Sequence, residues 1–129
     1  MAQRLAHFAI VIRDYDEAIA FYTGVLGFEL LEDTDLGGGK RWVRVRPRGS
    51  EAAFLLARAA TPEQESRIGD QTGGRVFIFL HTDDIRRDHA LYTARGVTFL
   101  RPPTEEPYGT VAVFVDLYGN KWDLIQPRR

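Results

Sequence analysis

The chain is written twice, and the repetition constrains its fold more than any other feature. A stretch starting at His7, HFAIVIRDYDEAIAFYTGVLGFEL, has a degenerate copy starting 70 residues later at Phe77, FIFLHTDDIRRDHALYTARGVTFL. Each copy runs from an alternating apolar strand into an Asp-capped amphipathic helix, then through a glycine into a second strand. A duplicated supersecondary unit builds two similar surfaces that can enclose something between them. The functional question then becomes what lines that enclosure.

The pattern can be read residue by residue. In Leu5 to Ile12, His7, Ala9 and Val11 point one way and Phe8, Ile10 and Ile12 the other, which is strand periodicity. Asp14 followed by Glu17 reads as a capping box, and Ala18, Ile19, Phe21, Tyr22, Val25 and Leu26 recur at helical spacing up to Gly27. Phe28 to Glu32 start a second strand, and Asp33 to Gly39 read as a glycine-rich turn. Arg41 to Arg46 alternate, with Val43 and Val45 opposite Trp42, Arg44 and Arg46, and Ala52 to Ala57 complete a fourth strand.

The second copy repeats this order. Arg75 to His81 is a strand, Asp83 or Asp84 caps a helix ending at Gly96, and Val97 to Leu100 is a strand. The segment RPPTEEPYG reads as a loop and a candidate lid, and Thr110 to Val115 with Lys121 to Ile125 form a hairpin around Asp116 to Asn120. Between the copies, Thr61-Pro62-Glu63-Gln64 predicts a short capped helical turn ending near Gly69. The GGGK at Gly37 to Lys40 is followed by a strand rather than a helix, so it is not read as a phosphate loop.

Composition excludes several classes. A net charge of −1 argues against a nucleic-acid surface or a polybasic membrane patch. No run approaches the roughly 18 apolar residues of a membrane span, and no charged-then-apolar leader precedes His7, so a cytoplasmic location is expected. Without cysteine there is no thiolate nucleophile and no Cys-based metal site.

Three blocks carry a resemblance: I-x-D…A-x-x-F-Y…L-G-F at Ile12 to Phe28, T-D-D-I…G-V at Thr82 to Val97, and P-Y-G…D-L-Y-G-N-K-W-D-L-I-Q at Pro107 to Gln126. Together they resemble the vicinal oxygen chelate superfamily, which includes glyoxalase I, bleomycin-resistance proteins, extradiol dioxygenases and fosfomycin-resistance proteins. The resemblance implies an α+β fold of two tandem βαβββ units whose curved mixed sheets surround a cavity. It implies one domain over 1–129, with unit one at about 1–58, a connector at about 59–74 and unit two at about 75–129. It also implies a homodimer.

In such proteins a metal takes its ligands from the first and fourth strand of each unit. Here the first-strand positions are His7 and its repeat partner Phe77. Aligning Val43 with Val111 puts Leu55 opposite Asp123 in the fourth strands. Two of the four corners are therefore hydrocarbon, whereas ferrous oxygen chemistry needs two His and a carboxylate and catalytic zinc about three protein groups. No cofactor is expected. A divalent ion would find only His7 and Asp123 unless the substrate or a second chain completed the set.

His7 and Asp123 form instead a candidate acid–base pair. Trp42 offers a stacking plate and Arg44 an anion clamp if their strand face lines a cavity, and an exposed charged strand if it faces solvent. Leu55, Phe77, Phe79, Tyr108 and Phe114 are candidate ligand-binding wall residues, or else simple filling. His81 is assigned to the helix approach beside Thr82 and Asp83, and His89 to the surface. The leading expectation is a protein that binds an apolar or aromatic small molecule in the cavity between the two units, without a complete metal site. The alternatives are a lyase, isomerase or dioxygenase with an unconventionally completed metal site, a metal-free His7/Asp123 catalyst, and a purely structural subunit.

Overall fold

A computed structural model describes residues 1–128; Arg129, which the expected domain span includes, lies outside the described residues. The chain divides into two compact units, Met1–Ile68 and Gly69–Arg129.

Unit one begins with β1 (His7–Ile12), whose Ile10 and Ile12 are fully buried. Asp14 then accepts a 2.9 Å hydrogen bond from the Glu17 amide and starts α1 (Tyr15–Ile19), while Arg13 grips the Glu17 carboxylate. The regular helix expected up to Gly27 does not persist. From Ala20 to Val25 the backbone widens into a π-helix, with the Leu26 amide bonding the Phe21 carbonyl. The Thr23 hydroxyl donates to the Ile19 carbonyl at 2.6 Å, taking the acceptor that an α-helix reserves for the Thr23 amide.

The chain continues through β2 (Glu29–Gly37), β3 (Lys40–Arg46) and β4 (Ala53–Arg58) to the short α2 (Pro62–Glu65), capped by Thr61. The expected turn at Asp33 to Gly39 is mostly strand. It narrows to Gly38 and Gly39, because Asp33, Thr34 and Asp35 find partners in Val43, Trp42 and Arg41. The sheet order is β1-β4-β3-β2, with β1 parallel to β4 and the other pairs antiparallel. Val43 and Val45 join Ile10, Ile12 and Leu56 in the core, where Tyr22, Phe28 and Phe54 stack in series at 6.2 and 6.3 Å. Each such ring removed from water contributes about 2–3 kcal/mol.

Unit two repeats the plan with β5 (Val76–His81), α3 (Ile85–Ala94), β6 (Thr98–Glu106), β7 (Gly109–Val115) and β8 (Lys121–Pro127), in the order β5-β8-β7-β6. Asp84, not Asp83, caps α3 by accepting from the Arg87 amide. The segment expected to be a loop and lid is largely strand. β6 pairs with β7 as far as Glu106, with register shifts flanking Arg101, so Pro102 and Pro103 sit where the ladder slips on an edge strand. That is where a residue lacking an amide hydrogen is tolerated. Only Pro107 and Tyr108 remain as the turn.

The repeat can now be placed by register. Ala9 pairs with Leu55 in one parallel ladder and Phe79 with Asp123 in the other, so Leu55 does stand at the position of Asp123. The third strands shift by one residue relative to the expected alignment. Val45 faces Phe54 as Phe114 faces Trp122, which matches Val43 to Ala112 rather than to Val111. Core burial explains the slip: it puts the apolar Val45 and Phe114, both fully buried, at matching places.

Candidate functional site

Sheet alternation sends one face of unit one to the core and leaves the other, with His7, Trp42, Arg44 and Leu55, open. The His7 and Trp42 rings meet in a T-shaped arrangement, with centroids 5.5 Å apart and planes 85° apart. Arg44 lies opposite Leu55 in the β3–β4 ladder, but its guanidinium is taken by Glu32 at 3.1 Å. Arg46 is likewise held by Glu29 at 2.6 Å. The arginines of this face are thus cross-strand ion pairs, and the clamp expected of Arg44 already has its carboxylate.

Past these pairs, where β4 ends, the same unit holds a cavity of about 480 Å³. It is lined by Tyr15, Lys40, Arg41, Trp42, Leu55 and Arg58, among others. Its size falls within the range of small-molecule sites. Two of the residues expected at a binding wall, Trp42 and Leu55, meet here. Tyr15, the buried first residue of α1, accepts a hydrogen bond from the Arg41 amide, and the guanidinium carbons of Arg41 and Arg58 each lie 5.2 Å from its ring centroid. Arg41 is neutralised by Asp33 at 2.7 Å and Asp16 at 2.9 Å. That partner holds the Asp33 carboxyl below its ordinary value, against the opposing effect of desolvation. Arg58 and Lys40 have no carboxylate partner among the described residues.

The candidates of unit two are distributed differently. Asp123 lies between Phe79 on β5 and Val113 on β7, and burial raises its carboxyl above the ordinary value while Arg101 opposes the rise. Phe79 is 64% exposed and Tyr108, at the β6–β7 turn, 57% exposed. Phe77 is half-buried at the irregularity in the β5–β8 ladder. Phe114 does not line an open face: it is fully buried, stacked on Trp122 at 5.7 Å and met by Tyr92 and Phe99. His81 is exposed, and His89 is half-buried with its ring 4.5 Å from that of Phe99. His7 and Asp123 belong to different units. Among the described residues, no three His, Asp or Glu side chains gather closely enough to hold a metal ion.

Sequence reasoning also passed over the work of Asp116. Its buried carboxylate accepts four hydrogen bonds of 3.0 Å, from the amides of Tyr118 and Asn120, the Asn120 side-chain amide and the Trp122 indole N–H. The D-x-x-G-N-x-W spacing of the closing hairpin is therefore a turn lock. The signal was visible as a motif, but its donors were not.

The model of the Glyoxalase/Bleomycin resistance protein/Dioxygenase superfamily matches residues 4–124, and the chain belongs to that family. An uncharacterised protein of Shewanella frigidimarina is 56% identical to it over 98% of this chain and 95% of its own. Among solved structures, UcmS2 superposes with a TM-score of 0.83 at 34% identity, covering 97% of this chain and 98% of that one. TnmS3, an antibiotic binding protein from a Streptomyces species, superposes with a TM-score of 0.80 at 31% identity, covering 98% of each chain.

Proposed function

We propose that this protein captures an apolar or aromatic small molecule on the open face of unit one, with no complete metal site, and acts by sequestering it. The cavity at the end of β4 carries the reading: it pairs the indole plate of Trp42 with the aliphatic wall of Leu55 in a space of ligand size. The likeness to an antibiotic binding protein at 31% identity points the same way. Hydrocarbon at Leu55, where the repeat has Asp123, removes a donor from this unit and leaves a surface suited to a ring.

The test uses the two tryptophans. Trp122 is fully buried and Trp42 is not, so a ligand in the cavity quenches the Trp42 emission. Titration with N-phenyl-1-naphthylamine should give saturable quenching that Trp42→Phe abolishes and Leu55→Asp weakens by about tenfold. Quenching that survives Trp42→Phe would place the ligand elsewhere.

A second reading is an enzyme of the same family in which Asp123, whose carboxyl is raised by burial, or His7 takes part in proton transfer or metal binding. Metal analysis of the purified protein separates the two. A stoichiometric ion lost in both His7→Ala and Asp123→Asn would replace sequestration with metal chemistry. The protein is further proposed to work in the cytoplasm as a homodimer, which light scattering would check.

A further inference from the structure

Charge, not only shape, distinguishes the cavity of unit one. Three cationic side chains line it, Lys40, Arg41 and Arg58, and no Asp or Glu does. Arg41 is cancelled by Asp33 and Asp16, both outside the lining. The residual field therefore comes from Lys40 and Arg58, two unit charges with no carboxylate to answer them among the described residues.

Arg58 is also held in position. Its guanidinium lies over the Tyr15 ring, and on another side it abuts the turn at Gly39. A Cβ at Gly39 would stand 3.1 Å from the Arg58 terminal nitrogen, and φ there is +82°. Any other residue there would strain the left-handed backbone and press the guanidinium aside by a few tenths of an ångström. The three-glycine run thus has a use: it lets the chain turn tightly against the end of β4 and leaves the Arg58 head in the cavity wall. Arg44, by contrast, spends its fork on Glu32.

Resting on the binding reading above, we propose that this cavity selects a planar aromatic anion: a ring that packs against Trp42 and carries a carboxylate, sulfonate or phosphate toward Arg58 and Lys40. Both charges are exposed at the edge of the cavity, so their pull on an anion is that of partly solvated groups, and the open guanidinium fork of Arg58 adds charge-assisted, bidentate hydrogen bonds to it.

Two dyes that share a ring system and differ in charge provide the test. 1-Anilinonaphthalene-8-sulfonate and its uncharged parent, N-phenyl-1-naphthylamine, are titrated separately against the intact protein. The sulfonate should bind about tenfold more tightly. Arg58→Gln should remove most of that preference, read as the ratio of the two dye affinities within the same variant, and Lys40→Gln should remove a smaller part. Added salt should weaken only the sulfonate. Arg48→Gln, an exposed arginine paired with Glu29, controls for general surface attraction. Equal affinity for the two dyes, or equal losses in Arg58→Gln and Arg48→Gln, overturns the selectivity for anions but leaves the cavity a binding site. Failure of both dyes to bind overturns the binding reading with it. Circular dichroism of each variant confirms that the loss is not one of folding.

Discussion

The two units share a strand order and parallel ladders that match one another, yet they use polar side chains in opposite ways. Unit one places its charges on the sheet surface: Arg41, Arg44 and Arg46 bridge β3 to Asp33, Glu32 and Glu29 on β2. Its β3–β4 turn is held lightly, by Ser50 bonding within Pro47 to Ala52. Unit two buries its main polar device. Asp116 satisfies four donors at the β7–β8 turn, and the locked Trp122 stacks on Phe114. The comparison shows that duplication preserves the backbone ladder, which depends only on strand periodicity. The side chains are left to specialise, unit two toward a locked turn and unit one toward an open cavity.

The largest expected effect tests that asymmetry directly. Asp116→Ala strands the Trp122 indole and Asn120 amide donors in a buried turn and should cost about 3–5 kcal/mol in urea unfolding. Ser50→Ala, at the equivalent turn of unit one, should cost no more than about 1 kcal/mol. Equal losses would show that the two turns are held alike and would remove the contrast.

A smaller effect separates the units by pH. Arg41 holds Asp33 below its ordinary value, so the folded state favours the carboxylate. That stabilisation is complete above the unfolded value, near 3.9, and is lost as pH falls through the depressed one. Asp33→Asn should therefore lower the melting temperature at neutral pH, by a margin that closes in acid.

Asp123 should show the smallest effect, with the opposite sign. Burial raises its carboxyl, so the charged form disfavours folding above the raised value and this cost disappears below the unfolded one. Asp123→Asn should raise stability at neutral pH by no more than about 0.5 kcal/mol, since the group is partly solvated, and the gain should vanish in acid. Melting curves over a pH series read both variants, and slopes of the same sign would contradict the contrast between the units.

Much of this was legible beforehand. The strands of both units, the Asp14 and Thr61 caps and the correspondence of Leu55 with Asp123 follow from alternation, helical spacing and the repeat. These are local properties, set by which neighbours in sequence share a face. The π-helical widening after Ile19, the strand through Pro102 and Pro103 and the burial of Phe114 were not legible, since each depends on a partner distant in sequence or on competition for one carbonyl.

The sequence by itself determined a duplicated βαβββ chain in which Leu55 falls at the repeat position of Asp123. Only the tertiary structure decided which arginines are held in ion pairs. The register shift between Leu30 and Glu32 brings Glu32 opposite Arg44, while Arg58, against the turn at Gly39, has no carboxylate partner among the described residues. Periodicity assigns a residue to a face, but an ion pair is made across strands, at distances that a single slip in pairing creates or abolishes.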